Sequence, residues 1–390
     1  MEMQQMKAIT NSRIVLTDRI LTGYVLVYGE KIEGIVPEKL FRSVECDEVL
    51  DADGRYTAPG FINIHIHGCG GADTMDDDPQ ALSVIRQSQA ETGVTAFLPT
   101  TMTYDFPKIY RSFERIRQAM KADEGAQILG CHMEGPFISE ARKGAQAATN
   151  IVKADFAKIE AYKDIIRIVT IAPEQLDNYD FVEACQKNHI IVSIGHSSAD
   201  YLTAVKAITL HGIQHITHLF NGMDPFHHRA PGVVGAALDT TANCEIITDN
   251  VHSQPMAQRL VYKCKKPENI ILITDSMRAC FLGDGVSELG GQKVNVKGQV
   301  ATLADGTIAG SVLTMDRAVA NFRKNTGAAL AEVVRMVTVN PAKELRLYDE
   351  MGSIEKGKLA NFVIFDDDIH IFKTIVKGQT VNGKKQTIEK

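Results

Sequence analysis

Short apolar runs recur between residues 61 and 275, and polar residues gather at their ends. The runs are FINIHIH (61–67), VTAFLPT (94–100), AQILGCHME (126–134), IIRIVTIAP (165–173), IIVSIGH (190–196), IQHITHLF (213–220), CEIITD (244–249) and NIILITD (269–275). They number eight, and their typical spacing of about 30 residues matches the β/α repeat of a barrel. Helix-like patterns fill several gaps, for example 79–93 and 105–125. Near-continuous apolar strands alternating with helices imply a parallel sheet covered on both faces. Eight units favour a closed (β/α)8 TIM barrel over an open doubly wound sheet. No GxGxxG follows the first run and no GxxxxGK[ST] occurs, so Rossmann and P-loop readings have no support.

The two ends of the chain carry a different pattern. ITNSRIVL, GYVLVYGEKIEGIV and VECDEVLDA near the start, and ANFVIFDDD, IHIFKTIVKG and QTVNGK near the end, read as short strands between Gly, Asp and Asn breaks. Neither stretch can form a comfortable core alone. The expectation is one small β-sandwich domain built from 1–54 and 356–390, with a metal-dependent barrel over 55–355. Residues 281–310 are Gly-rich with short alternating runs, and read as β-hairpins inserted after the eighth strand. Helices are expected over 315–326 and 329–342.

In a barrel of this kind, chemistry sits at the carboxyl ends of the strands. The first run ends in His65-Ile66-His67. Residues two apart on a strand share a face, so both imidazoles point into the barrel while Ile64 and Ile66 face the helices. Two neutral imidazoles on one face suit zinc or iron; two hydrogen-bonded core histidines are the plainer alternative. The third run ends in His132-Met133-Glu134. A carboxylate inside a barrel needs a partner, and no basic residue ends any of the eight runs, so a metal ion fits. His132 shares the face of Glu134 one layer deeper, where it would act as support, and Cys131 points away as packing. His196, His218 and Asp275 end the fifth, sixth and eighth runs. A carboxylate at Asp275, beside bound metal, suits a general base; a further ligand or a helix cap is the alternative. The loop NGMDPFHHRAPGVVGAAL carries His227, His228 and Arg229, and the loop after the seventh run carries Asp249, Asn250 and His252. Arginine suits bidentate phosphate contacts, although a surface arginine is usually just solvated.

Composition narrows the classes. The 390 residues are 44% apolar and 23% charged, an ordinary globular balance. The net charge of −6 argues against a nucleic-acid surface. Seven cysteines at irregular spacing, with no CxxC, argue against a disulfide framework and for a reducing compartment. No run approaches the roughly 18 apolar residues of a membrane span, and MEMQQMKAITNSRIV has no signal-peptide core. A cytoplasmic protein without nucleic-acid or membrane partners is expected.

PGFINIHIHG, HMEGPF, GHSSAD, THLFNGM and ITDSM, in this order, resemble the N-acetylglucosamine-6-phosphate deacetylases of the amidohydrolase superfamily. The match covers nearly the whole chain. HMEGPF and THLFNGM are specific, whereas HxH is shared across the superfamily. The resemblance implies hydrolysis of N-acetyl-D-glucosamine 6-phosphate to D-glucosamine 6-phosphate and acetate in amino-sugar catabolism and recycling. By that resemblance Glu134, His196 and His218 hold the principal divalent metal, and Asp275 is the acid/base. Asn221, Gly222, Arg229 and His252 match positions that bind the sugar phosphate. Ala145 and Gln146, with Ile308, Ala309 and Gly310, match further substrate contacts. Some relatives lack the first-strand histidines and hold one metal; His65 and His67 here imply two per subunit, zinc or iron, with manganese or cobalt also compatible. No lysine ends the fourth run, where many relatives carry a carbamylated lysine, so Glu134 would bridge. The resemblance also implies a homodimer in which Arg229 acts in its own or the neighbouring subunit's site. Another amidohydrolase, acting on N-acyl amino acids or cyclic amides, is the nearest alternative. A catalytically dead barrel serving as a binding protein is the other, and the complete ligand set argues against it.

Overall fold

The computed structural model describes residues 5–381; the last part of the expected carboxy-terminal β segment, 382–390, lies outside the described residues. The eight apolar runs form eight strands: β1 (Phe61–Ile66), β2 (Val94–Thr101), β3 (Cys131–Glu134), β4 (Ile166–Ile171), β5 (Ile191–Ile194), β6 (His215–Ile216), β7 (Asn243–Ile247) and β8 (Ile270–Ile273). Each pairs in parallel with the next, from β1 through β8. Two backbone bonds then join the ends of the series: Asp275 N–H donates to the His65 carbonyl (3.0 Å), and His67 N–H to the Ser276 carbonyl (2.9 Å). The fold is the expected TIM barrel.

The strands are shorter than the apolar runs. The third run is interrupted after Gln127–Ile128, where Gly130 takes φ 140° and a side chain would strike the Ile165 carbonyl. The sixth run keeps only two ladder residues, although Thr217 N–H still reaches the Ile194 carbonyl (2.9 Å) and Leu219 N–H the Glu245 carbonyl (2.9 Å).

Helices cover the barrel: α1 (Ala81–Glu91), α2 (Phe106–Ala119), α3 (Asp180–Lys187), α4 (Tyr201–Thr209), α5 (Gly232–Asp239), α6 (Pro255–Cys264), α7 (Met315–Thr326), α8 (Leu330–Met336) and α9 (Val339–Glu344). Asp105 caps α2 by accepting from Lys108 N–H at 2.9 Å. Between β3 and β4 the connection contains only short 3₁₀ turns. The single helix expected over 329–342 is two. Pro341 has no N–H to return to the Val337 carbonyl, so that helix cannot run through. The freed carbonyl instead accepts Ile62 N–H from β1 at 2.7 Å. The break therefore ties the last helices to the first strand.

Two further sheets pack against each other beside the barrel. One runs in the order Ile32–Pro37, Tyr24–Tyr28, Lys7–Thr10, Glu48–Asp51. The other runs Gln379–Val381, Ile371–Val376, Phe362–Phe365, Tyr56–Pro59, Arg13–Val15, Ile20–Leu21. Ile9, Leu26 and Ile32 meet Ile14, Phe362 and Ile364 in a core separate from that of the barrel. Tyr56–Pro59 joins the carboxy-terminal strands to the amino-terminal ones, pairing with Phe362–Phe365 and Arg13–Val15. In the Gly-rich stretch, Gly285–Leu289, Gln292–Lys297 and Val300–Thr302 form an antiparallel sheet.

The barrel floor is polar. His215 is fully buried, with Nε2 3.1 Å from Glu245 Oε1 and Nδ1 2.9 Å from Glu344 Oε1. Burial pulls its pKa down, but Glu344 and Glu245 outweigh that and hold it at about 10. A folded-state value above the ordinary 6.5 adds stability that is complete below about 6.5 and lost as pH rises towards 10. The melting temperature of metal-free protein should therefore fall over that window, and His215→Gln should flatten the slope. Parallel declines in both proteins would remove His215 as the source.

Candidate metal centre and active site

His65 and His67 lie on the inner face of β1 and are buried, as their two-residue spacing requires. Glu134 ends β3. His196, His218 and Asp275 follow β5, β6 and β8, each just beyond the last ladder residue. All three have positive φ, at 47°, 28° and 48°. This backbone region is rare for residues with a side chain. It lets each side chain stay aimed at the axis after the strand has ended.

The six side chains converge. His218 Nε2 is 2.9 Å, His196 Nε2 3.2 Å and His65 Nε2 3.6 Å from Glu134 Oε1. His67 Nε2 is 3.2 Å from Glu134 Oε2 and 3.2 Å from Asp275 Oδ1; His65 Nε2 is 3.5 Å from Asp275 Oδ1. Among the described residues three donor groups result: His65–His67–Glu134 and Glu134–His196–His218, which share Glu134 and face the cleft, and His65–His132–Glu245 beneath them.

The arrangement suits a divalent cation. The Nδ1 atoms of His65, His67 and His196 face the Glu245 carboxylate (2.9 Å), the Thr100 carbonyl (3.2 Å) and the Arg142 carbonyl (2.8 Å). Carbonyls and ionised carboxylates only accept, so these nitrogens carry the hydrogen and each Nε2 presents a lone pair inward. His65 Nε2 is buried with no hydrogen-bond partner. His196 and His218 bring their Nε2 atoms within 3.2 Å of each other. Ring nitrogens so close need positive charge between them, either a proton or a cation. The carboxylates draw positive charge to this site: burial lowers the pKa of His67, but Asp275 and Glu134 outweigh it and hold the value well up, so a metal ion would have to displace a proton there. His218 is held at about 9, against burial, mainly by Glu134. Burial raises the Asp275 carboxyl, but the imidazoles of His65, His67 and His218 outweigh it and leave it lowered, so it is ionised at neutral pH.

Support extends one layer out. Gln146 Nε2 donates to Glu134 Oε2 at 2.7 Å, while its Oε1 accepts Thr103 N–H at 2.7 Å. His132 shares the face of Glu134 one layer deeper, accepting from Thr170 (2.8 Å) and donating to the Ile64 carbonyl (3.0 Å). Burial pushes its pKa to about 3, so it is neutral.

Above the donors opens a cleft whose free space, with the solvent at its mouth included, is about 770 Å³. Ala145, Gln146, Asn221, Gly222, His252, Ile308 and Gly310 line it, together with Met102, Gly144, Leu289 and Thr307. Gly222 has φ 60°, and a side chain there would meet the His196 ring at 2.8 Å, so the position requires glycine. His252 is held by Asp249, whose Oδ2 is 2.6 Å from Nδ1. Ala309 is fully buried and does not line the cleft. Arg229 is exposed outside it, with Nη1 2.8 Å from His228 Nε2. Among the described residues, no lysine or arginine lines the cleft.

Glu245 escaped the sequence reading. It sits second in CEIITD, and its one signal there is a lone carboxylate on the inward face of an apolar strand.

A model of the Amidohydrolase family matches residues 56–387. The N-acetylglucosamine-6-phosphate deacetylase of Bacillus subtilis (strain 168) is 39% identical over 368 residues, covering 92% of each chain. The N-acetylgalactosamine-6-phosphate deacetylase of Escherichia coli O157:H7 is 35% identical over 337 residues, 85% of this chain and 89% of that one. The crystal structure of N-acetylglucosamine-6-phosphate deacetylase from Pasteurella multocida superposes with a TM-score of 0.91 at 30% identity, over 97% of this chain and 100% of that one. The chain belongs to the amidohydrolase family, within its branch of N-acetylglucosamine-6-phosphate deacetylases.

Proposed function

We propose that this protein removes acetate from N-acetyl-D-glucosamine 6-phosphate, giving D-glucosamine 6-phosphate, in amino-sugar catabolism. The observation that carries the reading is the convergence of four imidazoles, Glu134 and Asp275 at the base of a cleft, in a chain of this branch. Glu134, His196 and His218 would hold one divalent metal; His65, His67 and the shared Glu134 would hold a second. Zinc, iron, manganese and cobalt all suit imidazole and carboxylate donors. When bound, the metal supplies a Lewis acid and lowers the pKa of water towards roughly 7.

The protein's own groups do the rest. Asp275, ionised and 3.2 Å from His67, accepts the proton of the attacking water. It returns that proton to the nitrogen as the C–N bond of the amide breaks. Asn221, Gly222 and His252 line the wall where the sugar would lie, and Gln146 fixes the Glu134 carboxylate. Holding the acetamide against Asp275 contributes through orientation.

The phosphate suits a guanidinium or ammonium partner, and among the described residues no lysine or arginine lines the cleft. We infer a homodimer in which Arg229 reaches the neighbouring site. The same loop exposes Phe226, which borders an apolar groove with Phe220, Pro231, Leu238 and Leu260. A second copy seated there would cover that groove. The seven free cysteines fit a reducing compartment, and we place the protein in the cytoplasm.

Asp275→Asn should lower acetate release by about 100–10,000-fold with metal content, read by elemental analysis, unchanged. Near-normal turnover would remove the assigned role. Assays on N-acetylgalactosamine 6-phosphate, N-acyl amino acids and cyclic amides place the substrate within the family.

Arg229→Ala should raise KM for the phosphorylated sugar while sparing unphosphorylated N-acetylglucosamine. Mixing Arg229→Ala with Asp275→Asn subunits should restore activity above either parent, because one mixed site then has both groups. No restoration would place Arg229 in its own subunit's site or outside the reaction.

A further inference from the structure

Glu245, on the inner face of β7, is fully buried beneath the two donor groups that share Glu134 and is part of neither; its own grouping is the deeper one with His65 and the neutral His132. Its contacts are unusual in number and direction. Oε2 accepts from His65 Nδ1 at 2.9 Å and from the backbone N–H of His218 at 3.1 Å. Oε1 accepts from His215 Nε2 at 3.1 Å. Its own carbonyl accepts Leu219 N–H at 2.9 Å. One residue thus grips a ligand of the His65–His67–Glu134 group by its side chain, and a ligand of the Glu134–His196–His218 group by its backbone.

We propose that Glu245 is the positioning residue of the metal centre, fixing the Nδ1–H form of His65 and the turn that carries His218. The inference rests on the metal-centre reading above. An ionised carboxylate cannot donate, so His65 must place its hydrogen on Nδ1 and leave Nε2 bare, facing Glu134 and Asp275. The opposite tautomer would set a lone pair against the carboxylate. At His218, φ of 28° is disfavoured for a residue with a side chain, and two hydrogen bonds to Glu245, one from His218 and one from Leu219, hold that turn. A buried carboxylate is costly unless compensated. His215, itself braced by Glu344, provides the compensation from below.

The test uses full-length protein stripped of metal and titrated with cobalt(II) against a chelator. The visible absorption band reports ligand geometry, and circular dichroism reports folding. Glu245→Gln keeps the volume but leaves one oxygen for three donors. It should bind cobalt roughly 10–100-fold more weakly, the range for loss of a residue that orients a ligand, with an altered cobalt band. Glu344→Gln breaks the far end of the same chain without touching His65 or His218, and should keep both affinity and band. If Glu245→Gln does not fold, Glu245→Asp takes its place, with the carboxylate withdrawn by one methylene and the same expectation. Wild-type affinity and band in the Glu245 variant would overturn the role. An equal loss in Glu344→Gln would also overturn it, because the effect would then be a general loosening of the barrel floor. Wild-type protein that binds no cobalt, zinc, manganese or iron would overturn the metal centre itself.

Discussion

The bonds from Asp275 N–H to the His65 carbonyl and from His67 N–H to the Ser276 carbonyl join the last strand to the first. They also set the chemistry, since they fix β1 against β8 at the level of the site. His65 and His67 present their Nε2 atoms 3.5 and 3.2 Å from the same Asp275 oxygen only in this register. A one-residue slip would turn both imidazoles towards the helices and bring Ile64 and Ile66 inward. The remaining strands repeat the logic by parallel pairing, so the donors from β3, β5 and β6 inherit their heights from the same closure.

Closure alone does not aim every side chain. His196, His218 and Asp275 lie beyond the ends of their strands at positive φ, each at a cost of about 1–3 kcal/mol. Every one is held from outside its own turn. Ser139 N–H bonds to the His196 carbonyl at 2.9 Å, Glu245 holds His218, and the closing bond and Ser311 N–H hold Asp275. Strain at the functional residues is therefore offset by contacts from other strands and loops. Local sequence preference would not choose these conformations.

That division explains what the sequence made legible. The eight apolar runs, the inward face of His65 and His67, and the placing of polar residues at strand ends all follow from local periodicity. The spans expected around α1 and α2 do too, and α7 matches its expected span. Long-range geometry was hidden. The break between α8 and α9 depends on what the Val337 carbonyl does once Pro341 cannot bond it, and the answer lies in β1. Glu245 looked like one polar residue in an apolar strand because its partner His65 is 180 residues away. Arg229 was legible as chemistry, while the resemblance left open whether it acts in its own or the neighbouring subunit's site; in the structure it lies outside its own cleft.

The barrel axis resolves what would otherwise be an electrostatic problem. Glu134, Asp275 and Glu245 are all buried, and isolated carboxylates there would neutralise instead of ionising. Below the donors, anion and cation alternate through Glu245, a protonated His215 and Glu344, so the lower end balances itself. At the upper end the carboxylates draw the balancing charge onto the imidazoles, holding His67 and His218 above the ordinary histidine range. Glu134 and Asp275 face four imidazoles, and among the described residues no lysine or arginine lines the cleft above them. A divalent cation held by these donors would take over from those protons and free each Nε2 to present its lone pair.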